Sequence, residues 1–156
     1  MDGVGRGGAD ESGSVCRGVS TVTITGVVER MLDHAANGRW RALEDVLDDQ
    51  FEIVEPDSLP YRGTHYGLSG YRALMEQITT LFELAFEPPG LYRLDETTVV
   101  VRMTVTFIAR STGRSVKLKV VELLEVVRGR VRRSEVFLAD TAALLATLAD
   151  HPAPST

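Results

Sequence analysis

Between residues 25 and 36, Val27, Val28, Met31, Leu32 and Ala35 recur at the spacing of one helical face, and the run stops at Asn37-Gly38. That spacing predicts a first helix over 25–36. Trp40, Leu43, Val46 and Leu47 repeat the pattern among charged neighbours and predict a second, short helix. Phe51 to Glu55 then alternates apolar with polar and is cut by Pro56, which cannot donate to a ladder, so a short strand is expected. After a loop holding Pro60, Gly63, Gly67 and Gly70, the helical period returns at Tyr71, Leu74, Met75, Ile78, Leu81 and Phe82, with Ser69 as its expected N-cap.

Beyond Pro88-Pro89-Gly90 the pattern turns to strands. Thr97 to Ala109 is dense in Val, Thr, Met, Phe and Ile, which suit a half-buried pleated surface. Ser111-Thr112-Gly113 and Arg128-Gly129-Arg130 make turns, so 97–109, 116–127 and 131–138 form a meander. Asp140 or Thr141 caps a closing helix over 142–148. Helices followed by a run of antiparallel strands define an α+β domain rather than an alternating α/β one.

Glycine, serine and a lack of large apolar side chains set residues 1–20 apart as a flexible tail, and two prolines without hydrophobic period do the same for 151–156. The expected organisation is one domain over 21–150. The chain has 17 Lys plus Arg against 22 Asp plus Glu, a formal charge of -5, so its overall field repels polyphosphates and nucleic acid is not an expected partner. No apolar run has the length of a membrane span, no secretory leader is evident, and Cys16 stands alone, so a cytoplasmic protein without intrachain disulfide is expected.

Alternation makes Glu122 the most informative position. One face of the strand 116–127 reads Val116, Leu118, Val120, Glu122, Leu124, Val126, which places a lone carboxylate among aliphatics on the inward side. Burial there disfavours the charged form and leaves a neutral acid able to donate a hydrogen bond. The pattern equally admits an ion pair with Arg102 or Arg133 on an adjacent strand. Glu55 shares a face with Phe51 and Ile53 and belongs at the rim of any cavity, or else at a solvated strand end, with Asp57 competing for the same role. Two carboxylates in different surroundings let one site hold a base and an acid at neutral pH.

The segment 59–67 sets Tyr61, Arg62, His65 and Tyr66 between glycines, and Tyr61, His65 and Tyr66 are candidates to line a pocket mouth. Trp40 fits a core anchor or a stacking platform. His34, His65 and His151 lack zinc-type spacing, so no metal is expected. No phosphate-binding glycine loop follows a strand, and no serine nucleophile elbow is present.

The order of elements, together with VVERMLDHAANGRW, LEDVLDDQFEIVEP, YRGTHYGLSGYRALMEQI and GRVRRSEVFLADTAALL, resembles the nuclear transport factor 2-like superfamily over roughly residues 25–148. That superfamily includes ketosteroid isomerases and SnoaL-like polyketide cyclases. The resemblance implies a curved antiparallel sheet wrapped against three N-terminal helices as a cone with an apolar cavity, a cystatin-like α+β barrel, and a homodimer through the sheet. It implies a small apolar organic substrate and acid/base chemistry without a cofactor, of isomerase, cyclase, dehydratase or epoxide-opening type. A non-catalytic binding or dimerisation module is the alternative. Glu55, just before Pro56, matches the proton-shuttling base of ketosteroid isomerases, and Glu122 matches their protonated carboxylic acid. Their helix-one tyrosine falls at Met31, a pocket position on this resemblance that has no acidic proton to give.

Overall fold

The computed structural model describes residues 22–149; the expected tails over 1–20 and 151–156 lie outside them. Helix α1, Ile24–Ala36, starts where Thr23 Oγ1 accepts a hydrogen bond from the Gly26 N–H at 3.1 Å, and it buries Val27, Val28 and Met31. The expected second helix is a single 3₁₀ stretch, Arg41–Asp45, and Leu47 already belongs to strand β1, Leu47–Glu55. Helical spacing at Val46 and Leu47 gave way because Leu47 pairs with Val131 of a later strand, and pairing across a sheet outweighs local propensity.

Strand β2, Gly63–Tyr66, pairs antiparallel with β1 inside the segment expected to be loop. Helix α2, Gly67–Leu81, begins two residues before Ser69, has no side-chain cap, and buries Tyr71, Leu74 and Ile78. Two short strands, β3 (Phe82–Phe86) and β4 (Gly90–Arg93), flank the prolines and both pair with β5, Thr98–Ala109. The long strands β6, Ser115–Val127, and β7, Arg130–Leu138, complete the expected meander, and α3, Thr141–Leu148, is capped by Asp140 Oδ1 accepting from the Ala143 N–H at 2.9 Å.

The sheet runs β2-β1-β7-β6-β5-β3, with β4 beside β5. It is mixed, not purely antiparallel, because β1 and β7 pair in parallel. Nor does it close as a barrel: β2 and β3 are the ends of the path and do not pair with each other. Register breaks between Leu47 and Glu52 and between Glu125 and Val126 increase local twist and bend, which curls the sheet around α1 and α2. The core lies on the concave side, where Val99, Val101, Phe51, Leu74 and Phe82 are buried. Two of the helices precede most of the sheet and α3 follows it, so the cone is covered from both ends of the chain.

Candidate functional site

Glu122 projects from the middle of the concave face because β6 pairs on both sides. Val101 of β5 and Val136 of β7 are its cross-strand partners, and Val120 and Leu124 share its face. Its one side-chain partner among the described residues is Ser134, whose Oγ donates to Glu122 Oε2 at 3.0 Å. Burial raises the carboxyl's proton affinity, and the Ser134 hydrogen bond offsets part of that rise. Glu122 keeps some accessible surface because it lines a void, yet the void is walled by protein, so desolvation still governs it.

The ion-pair alternative for this residue does not hold among the described residues. Arg102 is exposed, with its guanidinium carbon 5.9 Å from the centroid of the Tyr92 ring. Arg133 is bound to Glu52 and lies 3.9 Å from Glu135. Neither reaches Glu122.

Glu55 ends β1 with 6% of its surface exposed and with no side-chain partner among the described residues. Burial first, then the charge of Glu122, push its carboxyl up to about 8. The two glutamates are therefore neighbours inside one apolar space, and at neutral pH they resist carrying two negative charges together. Asp57, the competitor, is exposed.

Glu55 and Glu122 open into the same cavity of about 880 Å³, within the range of roughly 300–1,000 Å³ usual for small-molecule sites. Its wall includes Ile53, Leu74, Phe82, Met103, Phe107 and Val136. Tyr61 and Trp40 line it as well. After β1, two successive turns, Leu59 N–H to Pro56 O and Arg62 N–H to Leu59 O, fold the chain back and carry Tyr61 inward until it is 3% exposed. Burial and the charge of Glu55 hold the Tyr61 phenol well above its usual range.

The remaining sequence candidates stand elsewhere. Met31 is fully buried in the core between α1 and the sheet and does not line the cavity, since the inward stripe of α1 packs there without leaving space. His65 sits on β2 beneath the start of α2, where Gly70 approaches so closely that an added Cβ would be 3.2 Å from the His65 carbonyl carbon; its Nε2 donates to the Tyr61 carbonyl at 2.8 Å. It fixes the loop that carries Tyr61 and stays outside the cavity. Tyr66 is 67% exposed on the edge strand.

Two contributors escaped the sequence reading. Ser134 was legible in principle, as the one hydroxyl on the inward row of β7 with Val136 and Leu138. Tyr71 was assigned to the helical core stripe, and periodicity alone does not reveal that this stripe faces a void. Among the described residues no three metal-ligating side chains cluster, and no helix is long and apolar enough to cross a membrane.

An open cone of this shape, with its cavity between helices and a curled sheet, is the nuclear transport factor 2-like, or cystatin-like, fold. Residues 28–134 match the SnoaL-like domain family, and the chain belongs to it. A nuclear transport factor 2-like protein from Burkholderia xenovorans LB400 superposes with a TM-score of 0.74 at 24% identity, covering 81% of this chain and 95% of that one. A putative SnoaL-like polyketide cyclase from Jannaschia sp. CCS1 superposes at 0.67 with 17% identity, covering 83% and 93%. TerC, co-crystallised with polyporic acid, superposes at 0.65 with 22% identity, covering 78% and 97%. Comparison with the curated proteins gives no match.

Proposed function

We propose that the protein is a cofactor-independent enzyme acting by proton transfer on a small, largely apolar organic molecule that carries a carbonyl group. The carrying observation is the convergence of Glu55 and Glu122 in one cavity with no arginine or lysine among the described residues paired to either. In its ionised form Glu55 removes a proton from the carbon beside the carbonyl. The C–H electron pair becomes the new C=C bond, and the carbonyl π pair moves onto oxygen. Neutral Glu122 donates a hydrogen bond to that oxygen as its charge develops, which is the use an apolar site makes of a protonated carboxyl. Glu55 then returns the proton, to the same carbon or to another, or the enolate carbon attacks a second carbonyl and closes a ring, the new alkoxide oxygen taking the proton that Glu55 holds. A proton affinity near the working pH suits a group that must both take and give a proton.

The apolar wall and the cavity's size support the substrate class, and neighbours described as putative polyketide cyclases are compatible with it. A second copy docked on the outer face of the sheet, where Phe137 stands exposed opposite Val121, fits the same reading. The test needs no knowledge of the natural substrate. In D₂O the protein should speed exchange of the methyl protons of 2-acetylnaphthalene, followed by NMR, with the rate rising as pH climbs toward 8. Glu55→Gln should abolish the acceleration. Exchange that persists in the folded Glu55→Gln protein removes Glu55 from the reaction.

A further inference from the structure

We infer that the cavity also takes hydrophobic amines, holding the ammonium group between Glu55 and Glu122 over Val136 and so blocking the proton transfer proposed above. This rests on the cavity being open to a ligand, and not on the catalytic reading. Strand register sets the geometry. Val54 of β1 pairs with Glu135 of β7, so Glu55 stands beside Val136, and Val136 is the cross-strand partner of Glu122 on its other side. The two glutamates thus flank one residue of β7, two strand spacings apart, or about 10 Å between their Cα atoms. All three residues line the cavity, and a group seated over Val136 has a carboxyl on either hand.

Glu55 is buried without a side-chain partner, and no buried side-chain oxygen or nitrogen among the described residues is orphaned, so its oxygens open onto the void. Glu122 gives one oxygen to Ser134 and keeps the other. An ammonium brings three N–H donors and the positive charge that neither glutamate finds among the described residues. Tyr61, from the turns after β1, and Tyr71 of α2 line the cavity as well, and neither supplies a cation. The His65 ring is bonded to the Tyr61 carbonyl and stays outside the cavity.

The opening of the cavity carries the same sign. Glu29, Asp33, Glu76, Glu83 and Glu87 line it and are exposed. Asp33, Glu76 and Glu87 are paired with Arg39, Arg72 and Lys117, while Glu29 and Glu83 have no ion pair among the described residues. Arg110 is the one arginine or lysine lining the cavity among the described residues. It is exposed, and its Nε donates to the Thr79 carbonyl at 2.8 Å, near the end of α2. It follows Val101, the β5 partner of Glu122, by nine residues, about 30 Å of extended chain, so its charge belongs to the outer end and leaves the inner pair uncompensated. A chain of net charge -5 with acids at the opening draws cations toward the site and turns anions away.

Ammonium binding converts Glu55 from acid to carboxylate: its O–H bond breaks, the proton passes to water, and the ammonium keeps its own protons on nitrogen. Burial and the charge of Glu122 push the free Glu55 carboxyl up to about 8, so below that pH each amine bound should release one proton, and affinity should rise about tenfold per pH unit. The test titrates 2-naphthylmethylamine and 2-naphthylmethanol, which share a ring system and differ in the head group, into the full chain by calorimetry between pH 5.5 and 7.5. Over that range the amine should tighten about 100-fold and the alcohol should not change. At pH 7.5 Glu55→Gln, its fold checked by circular dichroism, should weaken the amine about 10- to 150-fold, the worth of a hydrogen bond to a charged group, and the alcohol less than about threefold. The pH slope is read on the unaltered protein, so it stands whether or not the variant folds. An amine that binds no tighter than the alcohol at pH 7.5, or without that slope, overturns the inference, as does binding of neither compound. Ketone proton exchange that proceeds while the amine fails to bind overturns the inference alone. Amine binding with the expected slope in a protein that exchanges no ketone protons defeats the proposed catalysis and leaves the amine site standing.

Discussion

The two faces of the sheet treat carboxylates in opposite ways only one residue apart. On the outer face Glu52 meets Arg133, its cross-strand partner in the parallel pairing of β1 with β7, and Glu135 stands nearby. On the inner face the next residues along, Ile53 and Ser134, are paired with each other, and the carboxylates of that face, Glu55 and Glu122, have no cationic partner among the described residues. Outside, a guanidinium stands beside a partly exposed carboxylate; inside, burial of Glu55 and Glu122 favours the proton. A cation on the inner row would have converted the site into a buried salt bridge.

Substitutions can break this contrast, and the largest effect is expected on chemistry. In the proposed mechanism Glu122→Ala removes a donor from the reacting oxygen, and it should slow ketone proton exchange by about 10²–10⁴-fold, the usual worth of a positioned acid or oxyanion donor. Glu52→Gln on the outer face should change the rate less than about twofold, the exposed pair being remote from the reacting atoms.

The next effect is on stability against pH. Because folded Glu55 holds its proton more tightly than the unfolded chain, whose carboxyl titrates near 4.5, its contribution to stability is fully present below that value. It drains away as pH rises through about 8. Denaturant titrations between pH 5 and 8 should show a loss approaching about 1.4 kcal/mol per pH unit, and Glu55→Gln should flatten that slope. An unchanged slope in the variant would place the titrating group elsewhere.

Smaller still, Ser134→Ala takes away the one hydroxyl that favours ionised Glu122, at a cost of about 1 kcal/mol. Its carboxyl should then titrate at higher pH in ¹³C NMR. Least of all, Arg133→Ala should cost under about 1 kcal/mol, because its pair with Glu52 is partly exposed and screened by salt. A larger loss would mean that the outer pair is a structural anchor and that the two faces differ less than argued.

Much of this arrangement was legible in the chain alone. Alternation over 116–127 put Glu122 inward without any coordinates, since a strand's side chains have a period of two and Val120 and Leu124 fix the buried side. Pro56 likewise marked the end of β1 and so the place of Glu55. Helix α1 and the three long strands followed from periodicity and turn residues. Where local signals are short or contested, the sequence was silent: β2, β3 and β4 have five residues or fewer and exist because a neighbouring strand offers them hydrogen bonds.

The sequence by itself, then, determined an α+β domain, the inward direction of one glutamate and the strand-end position of another, because these depend on spacing within single elements. Tertiary structure alone decided that Arg133 turns outward to Glu52, that β1 and β7 run parallel, that the His65 ring bonds the Tyr61 carbonyl, and that Tyr71 lines a void instead of packed core. Those outcomes depend on register and on the curl of a sheet around two helices, and residues brought together across such distances leave no mark in the order of the chain.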